Sequence, residues 1–223
     1  MKLIFSTILV FFMSYNMVAQ EDLSLDWFTY YGGNGYEVLL AVEPTPQEEI
    51  VLAGYTVSTS GLATPTGWKT SFSGGYDDGF ISKWSGEGDL LWATYLGGED
   101  FDHVEDLAIS ETGEIVAVGI TASTTGIATG GAYQTEKGSN WAEQIAGFIS
   151  KYSPSGQLLW STYLSGSSTD GIEAVQIDSE GNIFVAGYTA SPDMATENAF
   201  QTEIALYTLN GFISKFSPDG ELI

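Results

Sequence analysis

A unit of roughly 65 residues that occurs three times constrains this chain more than any other feature. Three landmark strings return in the same order in every copy: an aromatic string that begins with Trp, an apolar run that ends in Gly-x-Thr, and a Gly-Phe-Ile-Ser-Lys string. The first lies at 27–31, 92–96 and 160–164, the second at 50–56, 115–121 and 183–189, and the third at 79–85, 147–153 and 211–217. Composition bias cannot keep such an order, so the chain has a true internal repeat, with units of approximately 26–90, 91–158 and 159–223.

Each unit is predicted to form β-strands. Runs rich in Val, Ile, Tyr, Phe, Trp and Thr alternate with turn residues, and no window carries the apolar stripe of an amphipathic helix. In the second unit the strands are expected near 92–96, 104–110, 114–122 and 147–153. Pro and Gly in the connecting segments, as in Ser153-Pro154-Ser155-Gly156, are typical of tight turns. The fold class is therefore all-β, and each unit is a four-stranded antiparallel meander whose first strand carries the Trp.

Tandem meanders of this kind must stack. A lone four-stranded sheet cannot bury both of its faces, so such units pack face to face, most often radially as the blades of a β-propeller. Large rings should fill the wedge between neighbouring sheets, and glycines inside apolar strands suit a β-bulge or a close backbone approach. The rings are those of Trp27, Trp92 and Trp160, and the glycines are Gly54, Gly119 and Gly187. We predict three blades of a propeller, in a partial or open arc.

The units resemble the SBBP family of bacterial β-propeller repeats. The family pattern has three elements that this chain matches. They are Trp-x-Thr-Tyr-Leu-Gly-Gly at 92–98, Asp-x-x-Gly-Asn before an apolar strand that ends in Gly-x-Thr at 178–189, and Gly-Phe-Ile-x-Lys before a Ser-Pro-x-Gly turn at 211–220. The resemblance implies an exported propeller, often an adhesion or matrix-like surface module, with no shared catalytic residues. The chain departs from the family in lacking the Phe-Pro-Thr segment that usually follows Gly-x-Thr.

The number of units also departs from a closed propeller, which typically needs at least about four blades. The chain stops at Gly220-Glu221-Leu222-Ile223, where the earlier copies lead straight into Trp92 and Trp160. Two interpretations stay open. Either the chain is part of a longer array with further blades, or the arc closes by self-association.

The first twenty residues predict export. Lys2 precedes an apolar run from Leu3 to Met13, and a more polar run leads to a cleavage site near Ala19 or Gln20, as in a secretory signal peptide. The apolar run is too short for a membrane span, which needs about 20 residues. We expect residues 1–20 to be a signal peptide and residues 21–223 to be secreted, either extracellular or at the cell surface.

The charge of the chain excludes several partners. It carries 29 acidic and 6 basic residues, all of the latter Lys, for a net charge of -23. Such an acidic chain has no basic patch for phosphates and should be repelled by anionic membranes, so neither nucleic acid nor direct membrane insertion is expected. It has no Cys, which excludes disulfides, thiolate nucleophiles and Cys-ligated zinc.

No catalytic site is predicted, and we expect that the chain is not an enzyme. His103 is the only histidine, and without a second His or a Cys it is interpreted as an ordinary loop residue rather than a transition-metal ligand. No Ser-His-Asp order, phosphate-binding loop or His-Glu-x-x-His motif occurs. A polysaccharide hydrolase that uses paired carboxylates is an alternative, although no carboxylate is seen to recur at one position in all three units, as a shared site would require.

Calcium is the one cofactor that the acidic segments suggest. Asp100, Asp102 and Asp178 are weak candidate ligands, but no Asp-x-Asp-x-Asp-Gly loop is present, and the alternative is that these residues form turns. No cofactor is therefore predicted, and a calcium-stabilised structural segment is kept as a further alternative function.

Three of the basic residues, Lys83, Lys151 and Lys215, occupy one strand position. They could form a ring of ammonium groups that gathers an acidic ligand at the axis of the array. We favour the structural alternative, in which each stem packs over an aromatic ring and each ammonium pairs with a carboxylate.

Recognition is expected on the three segments that vary between units, 57–78, 123–146 and 191–210. Aromatic rings among Gly, Ser, Thr and Asn suit a glycan or protein ligand, and the candidates are Trp68, Tyr76, Tyr133, Trp141 and Tyr207. The alternative is that these rings cap the cores of their own units. The sequence thus predicts a secreted, non-enzymatic repeat module for extracellular or cell-surface interaction, through protein or glycan binding or adhesion.

Overall fold

The computed structural model of the chain describes residues 26–138, 144–205 and 208–223. These residues form eleven β-strands and no helix. The predicted signal peptide at 1–20 and two ligand-binding candidates, Trp141 and Tyr207, lie outside the described residues. Within the described ranges, no helical segment is long and apolar enough to cross a membrane.

The strands form three antiparallel sheets, each in simple meander order. Sheet 1 contains β1 (Glu37–Pro44), β2 (Ile50–Thr56), β3 (Asp78–Trp84) and β4 (Leu90–Leu96). Sheet 2 contains β5 (Asp102–Ile109), β6 (Ile115–Thr121), β7 (Ala146–Tyr152) and β8 (Leu158–Leu164). Sheet 3 contains β9 (Asp170–Ile177), β10 (Ile183–Thr189) and β11 (Asn210–Phe216). The all-β class is confirmed, and three blade-like sheets of four, four and three strands stand in an arc that does not close.

The predicted strand positions agree with the structure, but the predicted grouping of the strands was wrong. The Trp strand β4 does not open the sheet of β5; it pairs with β3, with Trp92 opposite Lys83. The reason lies in the connections. Ser85 to Gly88 form a tight turn, in which the Gly88 N–H donates to the Ser85 carbonyl at 3.1 Å, and a tight turn pairs the two strands that it joins. Each sequence repeat therefore begins with the last strand of the preceding sheet.

Two apolar cores lie between the sheets. In sheet 2, alternate residues point to opposite faces, so that Val104 and Phe148 face sheet 1 while Val118 and Ile149 face sheet 3. All four side chains are fully buried. Among the described residues, the middle sheet is thus covered on both faces, whereas sheets 1 and 3 each keep one face that no other sheet covers.

A repeated loop covers the outer edges of sheets 1 and 2. Thr64 N–H donates to the Ala93 carbonyl at 3.0 Å and Tyr95 N–H to the Lys69 carbonyl at 2.9 Å, so this loop pairs with the free edge of β4. The loop after β6 pairs with β8 in the same way, through Thr129. The sequence of this loop, Ala-Thr-x-x-small-aromatic-x-Thr, recurs in all three units. We call these three segments, 63–70, 128–135 and 195–202, the clasp loops.

A β-bulge interrupts the first strand of each sheet opposite a glycine. The register of pairing shifts between Leu39 and Ala41 in sheet 1 and between Val104 and Asp106 in sheet 2. The glycines are Gly54, Gly119 and Gly187, and a Cβ atom on them would lie 1.8, 1.9 and 2.0 Å from a carbonyl oxygen of the first strand. Only a residue without a side chain leaves room for this approach.

Candidate functional site

One carboxylate does recur at a single position in all three sheets, and the expectation that none does was wrong. It is the first residue of the first strand of each sheet: Glu37, Asp102 and Asp170. The equivalence is hidden in the sequence because the residue type changes and because the position lies outside the three landmarks.

Each of these carboxylates accepts the same three hydrogen bonds. Asp170 accepts from Thr189 Oγ1 at 2.5 Å, from Ser191 Oγ at 2.8 Å and from the Gly166 N–H at 2.7 Å. Asp102 accepts in the same way from Thr121, Ser123 and Gly98, and Glu37 from Thr56, Ser58 and Gly33. The carboxylate therefore ties the end of the Gly-x-Thr strand to the start of the first strand.

Burial favours the protonated form of two of these carboxylates, Asp102 and Asp170. It raises the pKa of Asp102 to about 7, although the bonds from Thr121, Gly98 and Ser123 oppose the shift. Burial also raises the pKa of Asp170.

A second buried carboxyl lies next to Asp102. Gly97 separates the two, because a Cβ on this glycine would lie 2.5 Å from Asp102 Oδ2 and 3.0 Å from Asp78 Oδ1. Burial raises the pKa of Asp78 to about 6, and its Oδ1 atom is buried without a hydrogen-bond partner. Both side chains are completely covered, so this pair of carboxyls does not reach solvent.

The solvent-facing side chains next to this pair form an aromatic cluster, which we call the aromatic rim: Tyr36, Tyr55, Tyr76, Phe101 and His103. Tyr55 is the last residue but one of β2, and His103 is the second residue of β5, so the rim spans the junction between sheets 1 and 2. The rings of Tyr55 and His103 are stacked, with centroids 4.0 Å apart and planes inclined by 15°. The interpretation of His103 as a loop residue was therefore wrong: it lies in a strand.

Two carboxylates hold the His103 ring in place. Its Nε2 atom lies 3.1 Å from Asp77 Oδ1 and its Nδ1 atom 3.7 Å from Glu105 Oε1. Burial disfavours a charge on this ring, but the neighbouring carboxylates of Glu105 and Asp77 outweigh it and raise the pKa of His103. The rim thus combines a stacked ring pair with carboxylate oxygens at its border.

The outer part of the rim is a pair of tyrosines. The hydrogen bond that the Tyr36 hydroxyl donates to Tyr76 raises the pKa of Tyr36 to about 12. Tyr76 is 71% exposed and Tyr36 is 47% exposed. An exposed aromatic face beside hydroxyl and carboxylate groups can stack on an apolar ring face and hydrogen-bond to its polar edge.

Of the three predicted ligand-binding residues that the structure describes, Trp68, Tyr76 and Tyr133, only Tyr76 lies in the rim. Trp68 and Tyr133 occupy the same position in the first two clasp loops, and their rings lie edge-on to Tyr152 and Phe216 of the following sheet, at 6.3 and 5.6 Å. These rings thus contact the following unit rather than the core of their own unit, and their role in ligand binding stays a prediction. The other rim residues escaped sequence reasoning because nothing in the sequence shows that the ends of β2 and β5 meet.

The candidate calcium ligands are engaged within the protein. Asp100 Oδ1 accepts from the Phe101 N–H at 2.9 Å, and Asp178 accepts from Glu180 and Asn182 in a turn. Asp102 is buried in the network described above. Among the described residues, no three His, Cys, Asp or Glu side chains cluster so that they could hold a metal ion.

The repeated lysines and tryptophans link each sheet to the next. Lys151 Nζ lies 2.9 Å from Glu114 Oε2 and donates to the Pro218 carbonyl at 3.2 Å, and Trp160 Nε1 donates to the same carbonyl at 3.2 Å. Lys83, Glu49 and Trp92 form the same arrangement around the Pro154 carbonyl. The third lysine differs, because Lys215 Nζ lies over the Phe184 ring, 5.2 Å from its centroid.

Replacing Lys151 with Met should lower the free energy of unfolding by about 1–3 kcal/mol, because the substitution removes a nearly buried charged donor to Glu114 and Pro218. Urea denaturation would measure the change. Lys215→Met is the matched control, and we expect it to change stability by about 0.5 kcal/mol or less. Intact stability of Lys151→Met would contradict the structural role of this lysine.

Residues 159–192 match a family model described as SBBP, a beta-propeller repeat. The matched segment begins in β8, the last strand of sheet 2, and continues through β9 and β10 of sheet 3. Among curated proteins, none matches the chain. The resemblance to SBBP repeats is therefore confirmed over this segment, and the sheets are consistent with partial propeller blades.

Proposed function

We propose that this array of SBBP-type repeats is an exported, non-catalytic interaction module that binds neutral glycans at the aromatic rim. The observation that supports the proposal best is the exposed Tyr36 and Tyr76 pair beside the stacked Tyr55 and His103 rings. Sugar rings offer apolar C–H faces to aromatic rings and hydroxyl groups to carboxylates, and the rim has both kinds of partner. Export rests on the predicted signal peptide at 1–20.

The charge of the chain narrows the class of glycan. With a net charge of -23, the protein should repel polyanions such as uronate-rich or sulfated polysaccharides. The carboxylates of Asp77 and Glu105 border the rim and add to this repulsion. A neutral polysaccharide avoids the repulsion while still supplying hydroxyl donors.

Binding is favoured over hydrolysis by the position of the carboxyl pair. A glycosidase needs an acid and a nucleophile or base that flank the scissile bond. Asp78 and Asp102 have the raised pKa values that such an acid requires, but both are covered by protein. Two shallow cavities, of about 150 and 260 Å³, lie elsewhere, near Trp160 and near Lys151. SBBP repeats are moreover a structural repeat family.

Replacing Tyr76 with Ala should weaken glycan binding about tenfold, because a lost stacking contact of roughly 1.4 kcal/mol corresponds to that factor. The measurement is affinity electrophoresis of the chain in native gels that contain laminarin, galactomannan or hydroxyethylcellulose. Phe200→Ala is the matched control, since it removes a fully exposed ring of a clasp loop. The proposal fails if none of these polysaccharides retards the protein, or if Tyr76→Ala is retarded as strongly as the parent chain.

A further inference from the structure

A five-residue turn joins the first two strands of each sheet, and its backbone hydrogen bonds are the same in all three sheets. The segments are 45–49, 110–114 and 178–182, which we call the first turns. In each, the first N–H donates to the fifth carbonyl and the fourth N–H to the first carbonyl, as Ser110 does to Glu114 and Gly113 to Ser110, both at 2.9 Å. The side chains of the three turns can therefore be compared position by position.

A glutamine side chain reaches from the first turn of sheet 1 to the first turn of sheet 2. Gln47 is the third residue of its turn, and a Cβ atom on Gly113 would lie 3.1 Å from Gln47 Oε1. The amide of Gln47 therefore lies against the neighbouring turn, in the space between the two turns.

Between sheets 2 and 3 this contact is missing. The third position of the turn is Thr112, whose side chain is shorter than that of Gln47. Among the described residues, a Cβ atom on Gly181, the equivalent of Gly113, would meet only the Pro218 ring within 4 Å. Thr112 and Gly181 instead line an open cavity of about 260 Å³, and all of its lining residues belong to sheets 2 and 3 or to their turns.

A nearly buried lysine, Lys151, lines this cavity. Its Nζ atom lies 2.9 Å from Glu114 Oε2 and donates to the Pro218 carbonyl at 3.2 Å. An ammonium group has three N–H donors, and these contacts use two of them. The third can donate to a carbonyl oxygen of a ligand.

The rest of the lining is partly apolar and partly polar. Apolar carbons, as in Ile177 and Ile183, suit a methyl group, whereas the carboxylates of Glu111 and Glu180 accept N–H or O–H donors. Because carboxylates outnumber lysines among the lining residues, an anionic ligand is disfavoured. A neutral group that combines a methyl, a carbonyl and an N–H matches this lining, and the acetamido group is such a group.

We propose that this cavity binds the acetamido group of an N-acetylated neutral sugar. The equivalent place between sheets 1 and 2 holds an amide of the chain itself, that of Gln47, which indicates the ligand chemistry. The cavity, at about 260 Å³, is smaller than the roughly 300–1,000 Å³ of pockets that enclose drug-sized ligands, so it takes one small group of a larger sugar chain. It is a second site, because the aromatic rim lies at the start of β5 and the cavity at its end.

The variant Thr112→Gln tests the proposal, because it supplies at the third position the amide that Gln47 supplies between sheets 1 and 2. Thr112 is exposed, so the fold tolerates the longer side chain. NMR titration of the Gly181 backbone amide with N-acetylglucosamine measures binding. We expect the Kd to rise at least about tenfold in Thr112→Gln, since the new amide competes within the molecule. Thr112→Ser is the matched control, which keeps a short hydroxyl side chain and should stay within about twofold of the parent chain.

Three other probes define the ligand class. Glucose lacks the acetamido group, glucosamine carries an ammonium in its place, and propionamide offers an amide like that of Gln47 without a sugar ring. We expect each to bind at least about tenfold more weakly than N-acetylglucosamine. Tyr76→Ala, which alters the rim, should bind N-acetylglucosamine like the parent chain.

Four results would overturn the proposal. The first is a Gly181 amide that shows no saturable shift with N-acetylglucosamine, and the second is a Thr112→Gln variant that binds as tightly as the parent chain. The third is equal or tighter binding of glucose, glucosamine or propionamide, which would remove the acetamido sugar as the ligand. The fourth is loss of binding in Tyr76→Ala, which would place the sugar at the rim.

Discussion

The Gly119→Ala variant is expected to lose about 3 kcal/mol or more of its free energy of unfolding. A Cβ atom at this position would lie 1.9 Å from the carbonyl oxygen of His103, which is closer than any real carbon contact. The clash falls on backbone rather than on a flexible side chain, so only a shift of β5 can relieve it. That strand carries Val104 and Leu107, which form the core between sheets 1 and 2.

Denaturation midpoints in urea, followed by tryptophan fluorescence, would measure this effect. Gly130→Ala is the matched control, because a Cβ there meets no atom within 4 Å. The free energy of unfolding of this control should stay within about 0.5 kcal/mol of that of the parent chain. A Gly119→Ala protein as stable as the control would show that the bulge can relax and that the glycine has no steric role.

The Asp102→Ala variant should be destabilised by about 2–4 kcal/mol, because it leaves the donors of Thr121, Ser123 and Gly98 buried without their acceptor. Asp102→Asn should be much milder. An amide resembles the protonated carboxyl, which burial favours at this site.

The same group makes the stability of the fold depend on pH. The pKa of Asp102 is about 7 in the fold against an ordinary value of 3.8, so the folded state binds more protons between these values and stability falls as the pH rises through this window. Asp78, whose pKa is raised to about 6, and His103, whose pKa is also raised, act in the same direction. Thermal melts should therefore show a melting temperature that decreases from pH 5 to pH 8.

In Asp102→Asn this decrease should be clearly smaller, though not abolished, because Asp78 and His103 still titrate. Glu173→Gln, which neutralises an exposed carboxylate of β9, is the control and should keep the slope of the parent chain. A slope that Asp102→Asn leaves unchanged would show that Asp102 is ionised in the fold at neutral pH.

The repeat and the strands could be predicted because they are written in local sequence. Alternation and turn residues predicted the second-unit strands within a few residues of β4 to β7. Which four strands form one sheet could not be predicted in this way, because the sequence repeats with the same period whichever strand is taken as the first of the unit. The deciding information was in the connections, since the turn at Ser85 is tight and joins paired strands, whereas Gly97 and Gly98 lead the chain into the next sheet.

The candidate site was harder to predict. The carboxylates Glu37, Asp102 and Asp170 follow the Trp of their units at one constant spacing, but the change from Glu to Asp and their position outside the three landmarks hid this recurrence. The rim depends on a contact between sheets, in which Tyr55 and His103 are far apart in the chain. The aromatic positions of the clasp loops were visible in the sequence, and an alignment of Trp68, Tyr133 and Phe200 would have suggested that they share one task.

The displacement of each sheet by one strand from its sequence repeat has a consequence for the order in which the chain folds as it is made. Sheet 1 needs β4, which belongs to the second repeat, so it can be completed only after the ribosome has begun the following unit. Sheet 2 waits for β8 of the third repeat in the same way. Each nascent sheet therefore keeps an open edge until the next segment emerges, and we expect ribosome-bound intermediates to gain protease resistance in steps, each just after a Trp strand has left the exit tunnel.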